Sequence, residues 1–279
     1  MRTLTVPIKD CCIPKTIAIL TRSITTELGI VIKLTQTTRP DAADGLNKPE
    51  KLGPVPTWSY SALKTFEECR YRTYIQRVKK IPEPPSTAAD RGTAIHKLAE
   101  DFVKGEIGEL PPELGKFADE FHELRHLFAE AKVELEGEWG FSIEWEPVGW
   151  MVPQTWARIK LDALVHQDET CARVIDFKTG KKFGNEIPHA QQCLLYAIAT
   201  FFRFPQLQFV RTELWYLDKG ESTLRSFTRE EAMQFAPGFH SRAVAMTTCE
   251  DFNPTPSKDA CRWCPYGKGE HPECTWGVK

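Results

Sequence analysis

The sequence contains no run of about twenty apolar residues, so it offers no membrane-spanning helix. It lacks any excess of one charge: 36 lysines and arginines against 38 aspartates and glutamates leave a formal net charge of −2. A nucleic-acid enzyme is ordinarily more basic, so any grip on DNA must come from a local basic patch rather than from the overall field. There is no internal repeat, which sets solenoids and propellers aside. The apolar stretch Thr16 to Leu20 is too short for a signal peptide. A cytoplasmic protein is expected.

Cysteine, by contrast, is plentiful. Nine cysteines make an odd count, spread unevenly. In a reducing compartment they are core residues or metal ligands rather than disulfides. Cys261, Cys264 and Cys274 crowd the C-terminus, whereas Cys11, Cys12, Cys171, Cys193 and Cys249 fall in no motif.

Residues 1–56 carry little pattern and end in proline- and glycine-rich segments, so a poorly ordered leader is expected there, with one short strand at Ile30 to Leu34. Structure is expected from Trp58, with Ser59 capping a helix through Ala62, Leu63, Phe66, Tyr74 and Ile75. That helix carries a basic run, Arg70, Arg72, Arg77, Lys79 and Lys80, and the prolines at 82, 84 and 85 stop it. Ile95, Leu98, Ala99 and Phe102 share one face of a second helix over about 90–104. A third, charged helix is predicted over 112–136. Strands are predicted at 141–145, 148–152, 156–166 and 171–177, then a helix on Ala190, Cys193, Leu194, Ala197, Ile198 and Phe201. Two further strands, 208–217 and 222–227, flank Asp218 to Gly220, and Thr228 to Glu231 reads as a capping box opening a helix to about 246. The order implies α/β or α+β in one main domain.

The strand Val174 to Phe177 ends in Asp176-Phe177-Lys178-Thr179-Gly180. Side chains alternate along a strand, so Asp176 and Lys178 point the same way while Phe177 enters the core. An acid and an amine side by side suit a metal ion with an activated water, or else a plain salt-bridged strand end. Fourteen residues earlier, Asp162 lies inside the apolar strand Leu161 to Val165. A carboxylate there needs a compensating positive charge, from a cation shared with Asp176 or from Lys178 or an arginine. His96 sits beside the apolar face of its helix with Gly92 one turn earlier, leaving room for close approach. It is either a hydrogen-bonded core histidine or a third ligand for Mg²⁺ or Mn²⁺. Gln192 and Tyr196, four apart on the following helix, share a face.

Taken in order, Gly92…His96, Asp162, Asp176-Phe177-Lys178-Thr179-Gly180 and Gln192…Tyr196 resemble the RecB-like branch of the PD-(D/E)XK nuclease superfamily over about 58–274. The resemblance implies an α/β fold with a restriction-endonuclease-like core, a central mixed sheet flanked by helices. It implies a nuclease domain over 57–250 and a cysteine-rich metal-binding tail over 251–279. It also implies metal-dependent hydrolysis of DNA phosphodiesters. His96, Asp162, Asp176 and the carbonyl of Phe177 would hold Mg²⁺ or Mn²⁺. Lys178, its pKa lowered by the metal's charge and by partial burial, would help position and deprotonate the attacking water. Gln192 and Tyr196 would steady Lys178 and the scissile strand. Two departures stand out: Leu161 replaces the superfamily's proline, and Ile159 stands where the branch often has glycine.

Cys261-x-x-Cys264 with Cys274 reads as a metal knuckle short of one ligand. In RecB-like nucleases of the iron–sulfur type, one cysteine ahead of the G-x-x-x-H helix joins three near the C-terminus around a [4Fe–4S] cluster. Cys69 is the matching residue here. Nine residues separate Cys264 from Cys274, more than is usual in that family, and His271 offers a rival zinc set with Cys261, Cys264 and Cys274. DNA ends or single strands are the expected partner, in recombination, repair or phage DNA metabolism. Arg70 to Lys80 and Lys181-Lys182 are candidate backbone contacts, and Trp263 or Tyr266 is a candidate base-stacking residue or cluster cover. The competing readings are an endonuclease of the same fold and a non-catalytic DNA-binding or CRISPR-adaptation subunit.

Overall fold

A computed structural model describes residues 46, 48–180, 183–267 and 273–278. Most of the expected leader lies outside these residues, with its strand at Ile30 to Leu34, and so do Cys11, Cys12, Lys181, Lys182 and His271. Order begins earlier than the sequence predicts. Val55 is already buried, and the Gly53 N–H donates to the Thr247 carbonyl at 2.7 Å.

Ser59 caps helix α1 (Tyr60–Glu68) by accepting a hydrogen bond from the Ala62 N–H. At Cys69 the backbone turns extended, and the short α2 (Arg70–Thr73) then runs into a π-helical turn at Tyr74–Val78. The single helix predicted through Ile75 is therefore broken at the cysteine. Helix α3 (Thr87–Lys104) starts from a Ser86 cap and closes on Gly105, whose left-handed φ of 81° suits glycine. Next come a 3₁₀ turn at Pro112–Phe117 and α4 (Ala118–Ala129).

The predicted third helix does not reach 136. Ala131 takes a left-handed φ of 57°, and Val133–Phe141 forms strand β1. Its residues alternate apolar and acidic, Val133, Leu135 and Trp139 against Glu134, Glu136 and Glu138. The strands predicted at 141–145 and 148–152 shrink to β2 (Pro147–Val148). Strands β3 (Ala157–His166) and β4 (Cys171–Lys178) form the expected hairpin. Helix α5 (Glu186–Arg203) then crosses over to β5 (Phe209–Tyr216), which pairs parallel to β4, and β6 (Glu221–Thr228) closes the edge antiparallel. Thr228 forms the predicted capping box, but α6 (Arg229–Met233) stops at Gln234, and α7 (Ala236–Thr247) restarts with Pro237 in its first turn. Helix α8 (Lys258–Arg262) opens the tail.

The result is an α/β fold: one mixed six-stranded sheet, order β2-β1-β3-β4-β5-β6, with helices on both faces. Helices α1, α5 and α7 share one core; α3 and α4 share the other. Along β3 the alternation changes phase at Asp162. Ala157, Ile159 and Leu161 join the α1/α5/α7 core, whereas Ala163 and Val165 join the α3/α4 core. Strand β1 switches at the same level, with Val133 and Leu135 on the α3/α4 side and Trp139 and Phe141 on the other. Glu136, at the switch, has a left-handed φ of 50°.

Candidate active site

The β3/β4 register pairs Ala163 with Ile175, so the next step sets Asp162 opposite Asp176. In β1, Leu135 pairs with Ala163 and Gly137 with Leu161, which sets Glu136 opposite Asp162. Three carboxylates thus form a row across three adjacent strands. Like charges placed opposite one another destabilise a sheet unless cations intervene. Here the cations come from three elements: His96 on α3, Lys160 on β3 and Lys178 at the end of β4.

His96 Nδ1 lies 3.0 Å from Asp162 Oδ1, and the Phe177 N–H donates to Asp162 Oδ2 at 2.6 Å. The Phe177 ring is buried in the α3/α4 core, edge-on to the His96 ring. Gly92 allows the approach that holds His96 there: a Cβ on it would stand 3.2 Å from Thr179 Oγ1. On the other side of Asp162, Lys178 Nζ is 2.6 Å from Asp176 Oδ2 and donates to Gln192 Oε1 at 2.9 Å. The contact with Asp176 is ionic, since this buried Oδ2 accepts no hydrogen bond of good geometry. Tyr196 OH donates to Asp176 Oδ1 at 2.7 Å, and Gln192 Nε2 reaches Tyr196 OH at 2.7 Å and Asp176 Oδ1 at 3.4 Å. The residues singled out in the sequence, His96, Asp162, Asp176, Lys178, Gln192 and Tyr196, all line one groove of about 940 Å³.

Burial pushes the Asp162 carboxyl up, partly countered by the hydrogen bond from His96. Burial also pushes the His96 imidazole down, but Asp162 more than offsets this and its pKa rises, so the pair retains a proton more firmly than a free histidine. Lys178 is governed by the carboxylate beside it. Burial lowers its pKa, yet the Asp176 charge and contact outweigh burial, and the ammonium is held above the ordinary lysine range. Across the groove, burial and Lys178 push His189 below its ordinary value.

The donor atoms of His96, Glu136 and Asp162 all lie within 4.8 Å of one another. Carboxylates with one imidazole make a donor set that fits a hard divalent cation such as Mg²⁺ or Mn²⁺. A comparison of the whole chain with protein-family models decides its kinship: residues 57–268 match the PD-(D/E)XK nuclease superfamily. The chain belongs to that superfamily. Membership brings metal-dependent nuclease chemistry on DNA, and the matched span runs from the segment just before α1 into the cysteine-rich tail. Among curated proteins none is similar enough to count as a relative. One solved structure like this chain is the crystal structure of SSO0001, 14% identical, with a TM-score of 0.41, covering 81% of this chain and 89% of that one. Several groove residues of this superfamily member stand outside the sequence motifs: Lys64, Glu136, Trp150, Arg158, Lys160 and His189. The alternation of β1 was a usable signal for Glu136; the others carry none.

The predicted basic patch divides. Arg77 opens onto the groove. Arg72 instead pairs with Glu83 at 3.0 Å and Lys79 with Glu273 at 2.5 Å, so these two are structural clips. The second clip ties the tail to the α1–α2 corner, where Tyr71 OH also donates to the Glu273 carbonyl and Tyr266 OH to the Ile81 carbonyl. Trp263 is exposed, whereas Tyr266 is buried against the thiols. Cys69, Cys261, Cys264 and Cys274 line one small cavity. Burial pushes the Cys264 thiol up, and the neighbouring Cys274 and Cys69 add to the rise. Four sulfurs around one zinc stand ~2.3 Å from the metal and so ~3.8 Å apart. No grouping of thiols that tight occurs among the described residues.

No helix among the described residues is long and apolar enough to cross a membrane.

Proposed function

We propose that the protein is a RecB-like deoxyribonuclease, an exonuclease working on DNA ends or single strands in recombination, repair or phage DNA metabolism. One observation carries this reading: the His96–Asp162 pair and the Asp176–Lys178–Gln192–Tyr196 network open into a single groove. His96, Asp162, Asp176 and the Phe177 carbonyl are the ligands for Mg²⁺ or Mn²⁺. Bound there, the ion supplies Lewis acidity, making a water more acidic and offsetting charge on the phosphate. Lys178, held beside Asp176, helps position and deprotonate the attacking water, aided by the charge of the bound metal. Gln192 fixes the lysine head, and Tyr196 fixes the carboxylate that faces it. Lys64, Arg77 and Arg158 hold the DNA backbone along the groove.

The test is Mn²⁺-dependent digestion of 5′- and 3′-labelled linear DNA and of closed circles, wild type against Asp176→Ala. Progressive shortening of linear DNA, intact circles and an inert variant are expected. Cut circles would make it an endonuclease. Unchanged processing by Asp176→Ala would end the catalytic reading.

The tail, over 251–279, packs on the nuclease domain of 57–250 and is read as a [4Fe–4S] module held by Cys69, Cys261, Cys264 and Cys274. The cavity that the four thiols share supports it. Its task is to staple the α1–α2 corner to the C-terminus. Protein purified without oxygen should absorb broadly near ~400 nm and carry iron. Stoichiometric zinc without that absorbance would replace the cluster with a zinc knuckle.

A further inference from the structure

Glu136 has no place in the motif that brought the other groove residues together, yet it is built into the site. It faces Asp162 across β1 and β3, at the level where both strands change phase. Its carboxylate lies in one donor group with His96 Nδ1 or Nε2 and an Asp162 oxygen. Those three ligands come from a helix and two strands, so the tertiary fold alone assembles them. Asp176 lines the same groove from the far side of Asp162, its buried Oδ2 2.6 Å from Lys178 Nζ.

Lys160 Nζ lies 2.7 Å from Glu136 Oε2 and also lines the groove. Half of its side chain is exposed, and such an ion pair is weak in itself. A weak pair is a poor reason for a glutamate to hold a left-handed backbone in mid-strand. It is a good arrangement for a carboxylate that must exchange one cation for another.

We propose that Glu136 is an additional ligand for the divalent metal, and that Lys160 is a displaceable counter-ion holding its place. Metal binding moves Glu136 from the ammonium to the ion. The freed Lys160 then faces the phosphate backbone in the groove. No covalent bond changes; one ion pair is exchanged for another. The proposal rests on the metal-dependent reading of the groove and extends it to a ligand outside the motif.

The test is calorimetric titration of the full chain with Mn²⁺ alone, without DNA, at one pH. It compares wild type with Glu136→Gln, Lys160→Gln and the double variant, each checked for folding by circular dichroism. Glu136→Gln should weaken Mn²⁺ binding by at least about tenfold, a scale that even the partners of metal ligands reach. Lys160→Gln should tighten it several-fold, and adding Lys160→Gln to Glu136→Gln should change nothing further. Unaltered Mn²⁺ affinity in Glu136→Gln overturns the ligand assignment. Equal tightening by Lys160→Gln in both backgrounds overturns the exchange, because the lysine would then act only through its field. Wild type that binds no Mn²⁺ overturns the metal-dependent reading itself, a result distinct from both.

Discussion

Gly92 of α3 lies against Thr179 just beyond β4: a methyl group on the glycine would meet the threonine hydroxyl at 3.2 Å. That contact sets how deeply α3 seats, and so how close His96 comes to Asp162. Gly92→Ala gains about 1 kcal/mol in helix propensity and loses a similar amount to crowding. Its melting temperature should therefore stay near wild type while nuclease activity falls. Thr179→Ala added to Gly92→Ala should restore activity. Loss of activity with no rescue would show that the helix seats independently of this contact.

Tyr196→Phe isolates the network under Asp176. The hydroxyl donates to a buried carboxylate at 2.7 Å, and Gln192 at 3.4 Å is a weak substitute. Leaving that acceptor short of a donor should cost about 1–3 kcal/mol in urea unfolding, with reduced turnover. Wild-type stability would mean that Gln192 or water takes over the bond.

Mn²⁺ should raise the melting temperature, because a ligand that binds only the folded state adds RT ln(1 + [L]/Kd), about 2.7 kcal/mol at a hundredfold excess over Kd. Asp162→Asn and Asp176→Asn should abolish the rise. A rise that survives both substitutions would place the metal elsewhere, the cysteine tail first.

The two groove histidines should titrate on opposite sides of the ordinary 6.5. Without added metal, ring proton NMR should show His96 above it, held by Asp162, and His189 below it, lowered by burial and Lys178. The sign of the linkage differs accordingly. His96, raised, favours the fold below 6.5 and loses that contribution as pH rises through its own value. His189, lowered, favours the fold above 6.5 and loses that contribution as pH falls. Because a metal takes the neutral imidazole, Mn²⁺ affinity should fall as pH drops through the His96 value. His96 titrating below 6.5 would deny the charge-assisted bond to Asp162.

On the proposed iron–sulfur reading of the tail, Cys69→Ser should cost it the metal but not its seat. Tyr71, Lys79 and Tyr266 hold the tail to the α1–α2 corner without any thiolate. Iron content should therefore fall while limited proteolysis of 251–279 accelerates only modestly. Rapid release of the tail would show that the cluster alone holds it.

Much of the fold follows local rules that the chain states in order. The caps at Ser59 and Thr228 are formed as predicted, and the apolar faces of α3 and α5 are buried. The third helix was overextended because a charged run reads as a helix surface until Ala131 turns left-handed and the β1 alternation begins. The continuity predicted from Ser59 to Ile75 failed at Cys69 because nothing in a residue's neighbours announces that it must turn toward a tail nearly two hundred positions away.

The sequence alone marked the side chains that the fold gathers in one groove: His96, Asp162, Asp176, Lys178, Gln192 and Tyr196 stand in a fixed order, with helix and strand periods aiming each within its own element. Tertiary structure alone decided the rest. It inserted β5 parallel to β4 and set Glu136 opposite Asp162 where both strands change phase. It also placed the Asp176 charge beside Lys178, which raises the lysine's pKa against the effect of burial. The physical reason is range. Periodicity acts over a few residues, whereas register, burial and the field at a buried ammonium are set by elements far apart in the chain.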